Sequence, residues 1–91
     1  MSNIEIASLS LNSIVSLKDF QFCKKLSELY LRKNSVKNLL DIKYLSQCPN
    51  LKVLWLSDNP ITDHPLYRQY TIKMLPNLVK LDSQAVTPEE R

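Results

Sequence analysis

One phrase is written three times in this 91-residue chain, and it constrains the fold more than any other feature. It reads Leu26-Ser-Glu-Leu29-Tyr-Leu31-Arg-Lys-Asn34-Ser-Val36, and again Leu51-Lys-Val-Leu54-Trp-Leu56-Ser-Asp-Asn59-Pro-Ile61. A weaker copy is Ile4-Glu-Ile-Ala7-Ser-Leu9-Ser-Leu-Asn12-Ser-Ile14. Within each copy Leu-x-Leu alternates at strand period, so the leucines face one side and the variable residues the other. The copies start 22 and then 25 residues apart, too far for a hairpin but enough for a strand and a short return. Strands spaced this way stack in parallel, each repeat burying its apolar edge against the next.

The phrase L-x-x-L-x-L-x-x-N-x-L resembles the leucine-rich repeat signature. The expected fold is therefore an α/β leucine-rich-repeat right-handed solenoid. Short parallel strands line the concave face, 3-10 turns or short helices the convex side, and a helical cap closes the C-terminal end. A single domain over 1–91 is expected, with repeats at about 4–25, 26–50 and 51–77. The cap falls at about 62–86, overlapping the last repeat, and Leu78 opens a degenerate fourth phrase.

Each strand ends at Asn12, Asn34 or Asn59, where an amide can satisfy turn backbone groups that lack a ladder partner. In the returns, Ser16-Leu-Lys-Asp19 reads as a capping box with Asp in place of Glu. Leu17, Phe20 and Cys23 recur at a 3-10 period. Asp41 is expected to cap a helix carrying Ile42 and Leu45. Asp63 is expected to cap a closing helix of about ten residues through Tyr67, Tyr70, Thr71 and Met74, ended by Pro76. The chain has no glycine, so its turns are expected to rely on Asn, Ser, Asp and Pro.

Composition narrows function. Twelve Lys and Arg face nine Asp and Glu, a net charge of +3, but the cations are scattered and form no nucleic-acid footprint. No apolar run reaches membrane-spanning length, and the first residues do not form a signal peptide, so a reducing cytoplasmic setting is the default. Cys23 and Cys48 each precede a repeat's first leucine by three residues, so they share one environment, that of small buried apolar side chains. The single His64 reads as a surface loop residue. There is no phosphate loop, no metal-ligand spacing and no nucleophile with a base, so neither catalysis nor a cofactor is expected.

What remains for function is the outward strand positions. They are Ile6, Ser8 and Ser10; Glu28, Tyr30 and Arg32; Val53, Trp55 and Ser57; and Lys80 and Asp82. Tyr30 and Trp55 hold the same place in adjacent strands, which puts them about 5 Å apart. Glu28, Tyr30, Arg32, Val53, Trp55, Ser57, Lys80 and Asp82 are the expected protein-binding residues, with the two aromatics as hot spot. The other reading of the aromatic pair is cover for the sheet.

The ends look unfinished. Ile6, Leu9 and Leu11 flank an uncapped first strand, which invites self-association. Thr87-Pro88-Glu89-Glu90 reads as the start of a further helix at 87–91, as in a segment of a longer protein.

The phrases LSELYLRKN and LKVLWLSDNP, followed by YRQYTIKMLPNLVKLDSQAVTPEE, resemble the cilia- and flagella-associated (chromosome 21 open-reading-frame 2) family over residues 4–90. The stretch Leu81-Asp82-Ser83-Gln84-Ala85-Val86-Thr87 is the most specific part. The Tyr67–Asp82 cap is also similar to U2 A-prime and axonemal dynein light chain-like proteins. The resemblance implies a protein of cilia, flagella and basal bodies that acts by binding others, a NIMA-related kinase among them, and that joins DNA-damage responses, with the nucleus as a second location. It also implies a helical oligomerisation module outside this sequence and an additional repeat before Ile4–Ile14. The leading reading is a non-catalytic protein–protein interaction module. The alternatives are a ribonucleoprotein subunit of the U2 A-prime type and a structural spacer domain.

Overall fold

A computed structural model describes residues 3–91. Four parallel strands form the sheet: β1 (Ile6–Ser8), β2 (Glu28–Tyr30), β3 (Val53–Trp55) and β4 (Lys80–Leu81). A fifth, β5 (Gln84–Ala85), runs antiparallel to β4 at the C-terminal edge. The order β1-β2-β3-β4-β5 follows the chain. In-phase residues are paired: Ala7 with Leu29 and Leu29 with Leu54, then Leu54 with Leu81. The repeated phrase thus sets the register directly. A one-residue slip would expose every leucine.

Behind the sheet lies a single core cluster. Leu26, Leu29, Leu31, Leu54, Leu56 and Leu81 are all fully buried in it. The returns pack against them: a 3-10 turn at Lys18–Phe22, another at Leu39–Asp41 running into α1 (Ile42–Leu45), and a third at Pro60–Asp63. Leu17, Phe20 and Cys23 are buried together, as their spacing predicts. Cys48 is buried too, both thiols are free, and burial pushes the Cys48 thiol above its ordinary pKa.

The asparagines form the expected ladder. Asn59 donates to Leu31 O and Leu56 O, both at 2.9 Å, and its Oδ1 accepts from Val36 N–H at 3.0 Å. Asn34 repeats this one turn earlier, donating to Leu9 O and Leu31 O and accepting from Ile14 N–H. Asn12 is exposed and bonds only within its own turn.

Several local expectations are corrected. The residue before each asparagine carries the left-handed backbone: φ is 62° at Leu11, 60° at Lys33 and 62° at Asp58. Two of the three are not turn-forming residue types, so the asparagine bonds on either side impose a conformation that these residues disfavour by roughly 1–2 kcal/mol each. Ser16 Oγ accepts from Lys18 N–H, a local turn rather than a capping box. Asp41 does not cap α1. Its Oδ2 instead accepts from Leu17 N–H of the preceding return, at 3.2 Å, while Asn38 caps the Leu39–Asp41 turn.

The closing helix α2 runs Tyr67–Met74, eight residues, and is not capped by Asp63, which ends the 3-10 turn before it. His64 Nδ1, exposed, accepts from Leu66 N–H and shapes the entry to the helix. The cap is also more than helical, because the β4–β5 hairpin adds a strand that the periodicity did not signal. Pro88–Glu90 form a 3-10 turn held against α2. Arg68 clamps Glu90 at 2.5 and 3.0 Å, and Arg91 donates to the carbonyls of Ile72, Leu75 and Leu78.

At the other edge Ile6, Leu9 and Leu11 are exposed. Among the described residues no helix is long and apolar enough to cross a membrane.

Candidate protein-binding face

The pleat sends one residue in two away from the core, and in β1–β3 these side chains cover the open face of the sheet. Tyr30 and Trp55 are register partners. Their ring centroids lie 6.1 Å apart with planes tilted by 44°, an arrangement within the favourable range for aromatic pairs.

Each ring is held by the residue two places along its own strand phrase. The Tyr30 hydroxyl donates to Glu28 Oε1 at 2.6 Å, and Trp55 Nε1–H donates to Ser57 Oγ at 2.6 Å. Residues two apart share a face, so the Leu-x-Leu alternation makes both bonds possible. The bond to Glu28, reinforced by partial burial, holds the Tyr30 phenol above its ordinary pKa. Both polar tips are therefore satisfied within the chain. What the pair presents outward is apolar ring surface.

Around the pair, Val53 and Ser57 are half-buried, while Arg32 and Lys80 are exposed. Arg32 Nε contacts Asp58 Oδ2 at 3.3 Å, with both side chains about half exposed. Ser8, Ser10, Tyr30, Arg32 and Trp55 together line a shallow recess of about 190 Å³. It exists because Ser8 of β1 stands in register with Tyr30 and Trp55, and the small side chain leaves open the space that the rings fill in β2 and β3.

Seven of the eight expected binding residues, Glu28 through Lys80, therefore stay on or around this face. The eighth, Asp82, is half-buried and bonded within the chain. Its backbone turns left-handed at φ 57° immediately after β4. Its Oδ1 accepts from Leu56 N–H at 2.7 Å and its Oδ2 accepts from the Tyr67 hydroxyl at 3.1 Å. Asp82 thus closes the end of β4 and ties it to the closing helix. Asp58, the residue before Asn59, makes the exposed contact to Arg32 of the preceding repeat. Its adjacency to the Asn59 ladder was visible in the sequence, but its pairing across repeats was not.

The family profile of the leucine-rich repeat matches residues 1–91. The chain is 47% identical over 92 residues to cilia- and flagella-associated protein 410 of Mus musculus, an alignment covering 99% of this chain and 37% of that protein. The Homo sapiens counterpart is also 47% identical, with 99% and 36% covered. This chain thus spans little more than a third of these relatives' length. The resemblance seen at Leu26–Asn34, Val53–Pro60 and the tail holds. A dynein axonemal assembly factor 1 homolog of Drosophila yakuba is 39% identical over 92 residues, covering all of this chain and 6% of that protein.

Among solved structures, the Mex67 LRR domain from Chaetomium thermophilum superposes with a TM-score of 0.80 at 32% identity, covering 96% of this chain and 62% of that one. A chain of the Drosophila melanogaster SNF/U2A′ complex gives a TM-score of 0.76 at 19% identity, covering 98% and 65%, which is likeness of fold alone. With its repeated phrase, in-phase parallel strands and asparagine ladder, the chain belongs to the leucine-rich repeat family.

Proposed function

We propose that this domain is a non-catalytic protein-binding module of a cilium- or flagellum-associated protein, and that it engages its partner through the concave face. The observation that carries the reading is the Tyr30–Trp55 pair: two large half-buried rings, 6.1 Å apart, with their polar tips already satisfied. Rings held this way lose little conformational entropy on binding and are favoured as interface anchors. Val53 extends the apolar centre, and Glu28, Arg32, Ser57 and Lys80 supply a polar rim. The kinship with cilia- and flagella-associated protein 410 supports the cellular setting.

Proximity labelling in ciliated cells with wild type and Trp55→Ala, read by mass spectrometry, tests the reading. Basal-body or axonemal proteins, or a NIMA-related kinase, should be recovered with wild type and lost with the folded variant. Recovery of spliceosomal proteins would instead favour a ribonucleoprotein subunit. An unchanged set of neighbours with folded Trp55→Ala would favour a spacer domain.

A further inference from the structure

The proposed binding face has a polarity that says what chemistry its partner carries. The recess over Ser8 and Ser10 is walled by Tyr30 and Trp55, and its rim at the strand ends is formed by Arg32. A second hollow of about 110 Å³, lined by Ser10, Leu11, Arg32 and Lys33, adjoins it through the shared Ser10 and Arg32. The two hollows make one trough, apolar at the rings and cationic at the rim.

The charges at the two ends are not equivalent. Glu28, at the opposite end of the rings, is already bonded to the Tyr30 hydroxyl. Arg32 uses only its Nε on Asp58, in a contact exposed to water. Lys33 takes part in neither of the two ion pairs found among the described residues. An exposed pair of this kind is held weakly and gives way readily to a better-placed carboxylate. Two neighbouring cations beside an apolar recess therefore complement an anion beside an apolar side chain. Leu11, also on this rim and 74% exposed, adds an apolar shoulder.

We infer that the concave trough binds an acidic peptide segment that inserts one bulky apolar side chain over Ser8 and Ser10, against Tyr30 and Trp55, and sets Asp or Glu against Arg32 and Lys33. The inference rests on the concave-face reading above and adds the partner's chemistry to it. The serines matter because they create the space. The rim cations matter because complementary charge selects among apolar partners and speeds encounter.

The probe is a phage-displayed library of random 12-residue peptides, selected on wild-type domain at low salt, with bound positions mapped by amide chemical shifts. Ser10→Trp fills the trough and Arg32→Glu reverses one end of it. Both positions are exposed or half-buried, and each variant's fold is checked by its amide spectrum. The expected result is enrichment of peptides with Leu, Phe or Trp next to Asp or Glu. Their binding should fall at least about tenfold with Arg32→Glu and weaken with added salt. It should disappear with Ser10→Trp.

Enrichment of basic or uncharged peptides that still require Trp55 would overturn the inference while leaving the concave-face reading intact. Peptides that shift only residues away from Tyr30 and Trp55, or no enrichment at all, would overturn both.

Discussion

Asp82 takes the place of a backbone carbonyl for Leu56. In the first two strand pairs the equivalent bonds are backbone to backbone, Leu9 N–H to Tyr30 O at 2.9 Å and Leu31 N–H to Trp55 O at 2.8 Å. At the third pair the chain has already turned at Asp82, and the side-chain Oδ1 accepts from Leu56 N–H at 2.7 Å. The other oxygen reaches Tyr67 in the closing helix. One carboxylate thus ends the parallel pairing at β4 and fastens it to the closing helix.

Asp82→Ala should accordingly destabilise the domain by about 2–3 kcal/mol, since it leaves the Leu56 amide and the Tyr67 hydroxyl without their acceptor. Asp82→Asn keeps one acceptor and tolerates the left-handed backbone, so it should cost about half as much. Urea unfolding of both, with Tyr67→Phe to complete a double-mutant cycle, measures this. Additivity of Asp82→Ala and Tyr67→Phe would show the two groups to be uncoupled.

The same contact predicts a response to alkali. Burial, with Asp82 beside it, pushes the Tyr67 phenol well above its ordinary value of 10.0. A group whose pKa is raised on folding contributes stability that is complete below its unfolded value and lost as pH rises above it. Stability should therefore decline from about pH 10 upward, and less so in Tyr67→Phe, when followed by circular dichroism.

Glu90 should respond to acid. The Arg68 guanidinium, aided by the Thr87 N–H, lowers its carboxyl from 4.5 to about 2. A pKa depressed on folding gives stability that is present above the unfolded value and lost as pH falls through the folded one. Between pH 4.5 and about 2 the 87–91 turn should loosen from α2. Protection factors for hydrogen exchange at the Glu90 and Arg91 amides should fall in that window before those of the sheet amides do. Glu90→Gln should show the lower protection already at neutral pH.

The asparagine ladder should be graded. Asn59 is 3% exposed and Asn34 8%, and each bonds across two repeats. Truncation to Ala at either should cost about 2–4 kcal/mol through unsatisfied backbone groups. At Asn12 the cost should stay below about 1 kcal/mol, because water can replace its exposed bonds. Equal losses at all three positions, measured by chemical unfolding, would contradict the cross-repeat account.

Thr71 points the other way. It is fully buried, and its hydroxyl has no hydrogen-bond partner among the described residues. Thr71→Val keeps the branched shape and removes the unsatisfied group, so it should stabilise by about 1 kcal/mol. A lower midpoint of thermal unfolding would mean that the hydroxyl has a partner in solution.

Trp55→Ala bears on function more than on stability. The residue is half-buried, and the aromatic pair itself is worth about 0.5–1.5 kcal/mol,. The variant should remain folded, with an unfolding midpoint a few degrees lower, while partner recovery is lost. Collapse of the fold would identify Trp55 as cover for the sheet.

Much of this was legible in the linear chain, for a physical reason. A repeat with a period-2 phrase sets its own register, because the leucines of one strand are buried only beside those of the next. Leu29, Leu54 and Leu81 thus align by the phrase alone, and the same phase sets Tyr30 beside Trp55. The identity of the asparagines as turn ligands followed from the same phase. Residues in the returns were less legible. Asp41 and Asp63 look like caps for the helices that follow them, yet only their neighbours in space decide what they bond.

Sequence alone therefore determined the four parallel strands, their order, the leucine core and the open face with its two aromatics, since these follow from short-range alternation repeated along the chain. Tertiary structure alone decided that Leu11, Lys33 and Asp58 take the left-handed turns, that Asp82 turns out of β4 to bond Leu56 and Tyr67, and that Ser8 and Ser10 open a recess beside Arg32. Each of those outcomes depends on groups some 20 or more residues apart or on packing between repeats, and no local pattern encodes such contacts.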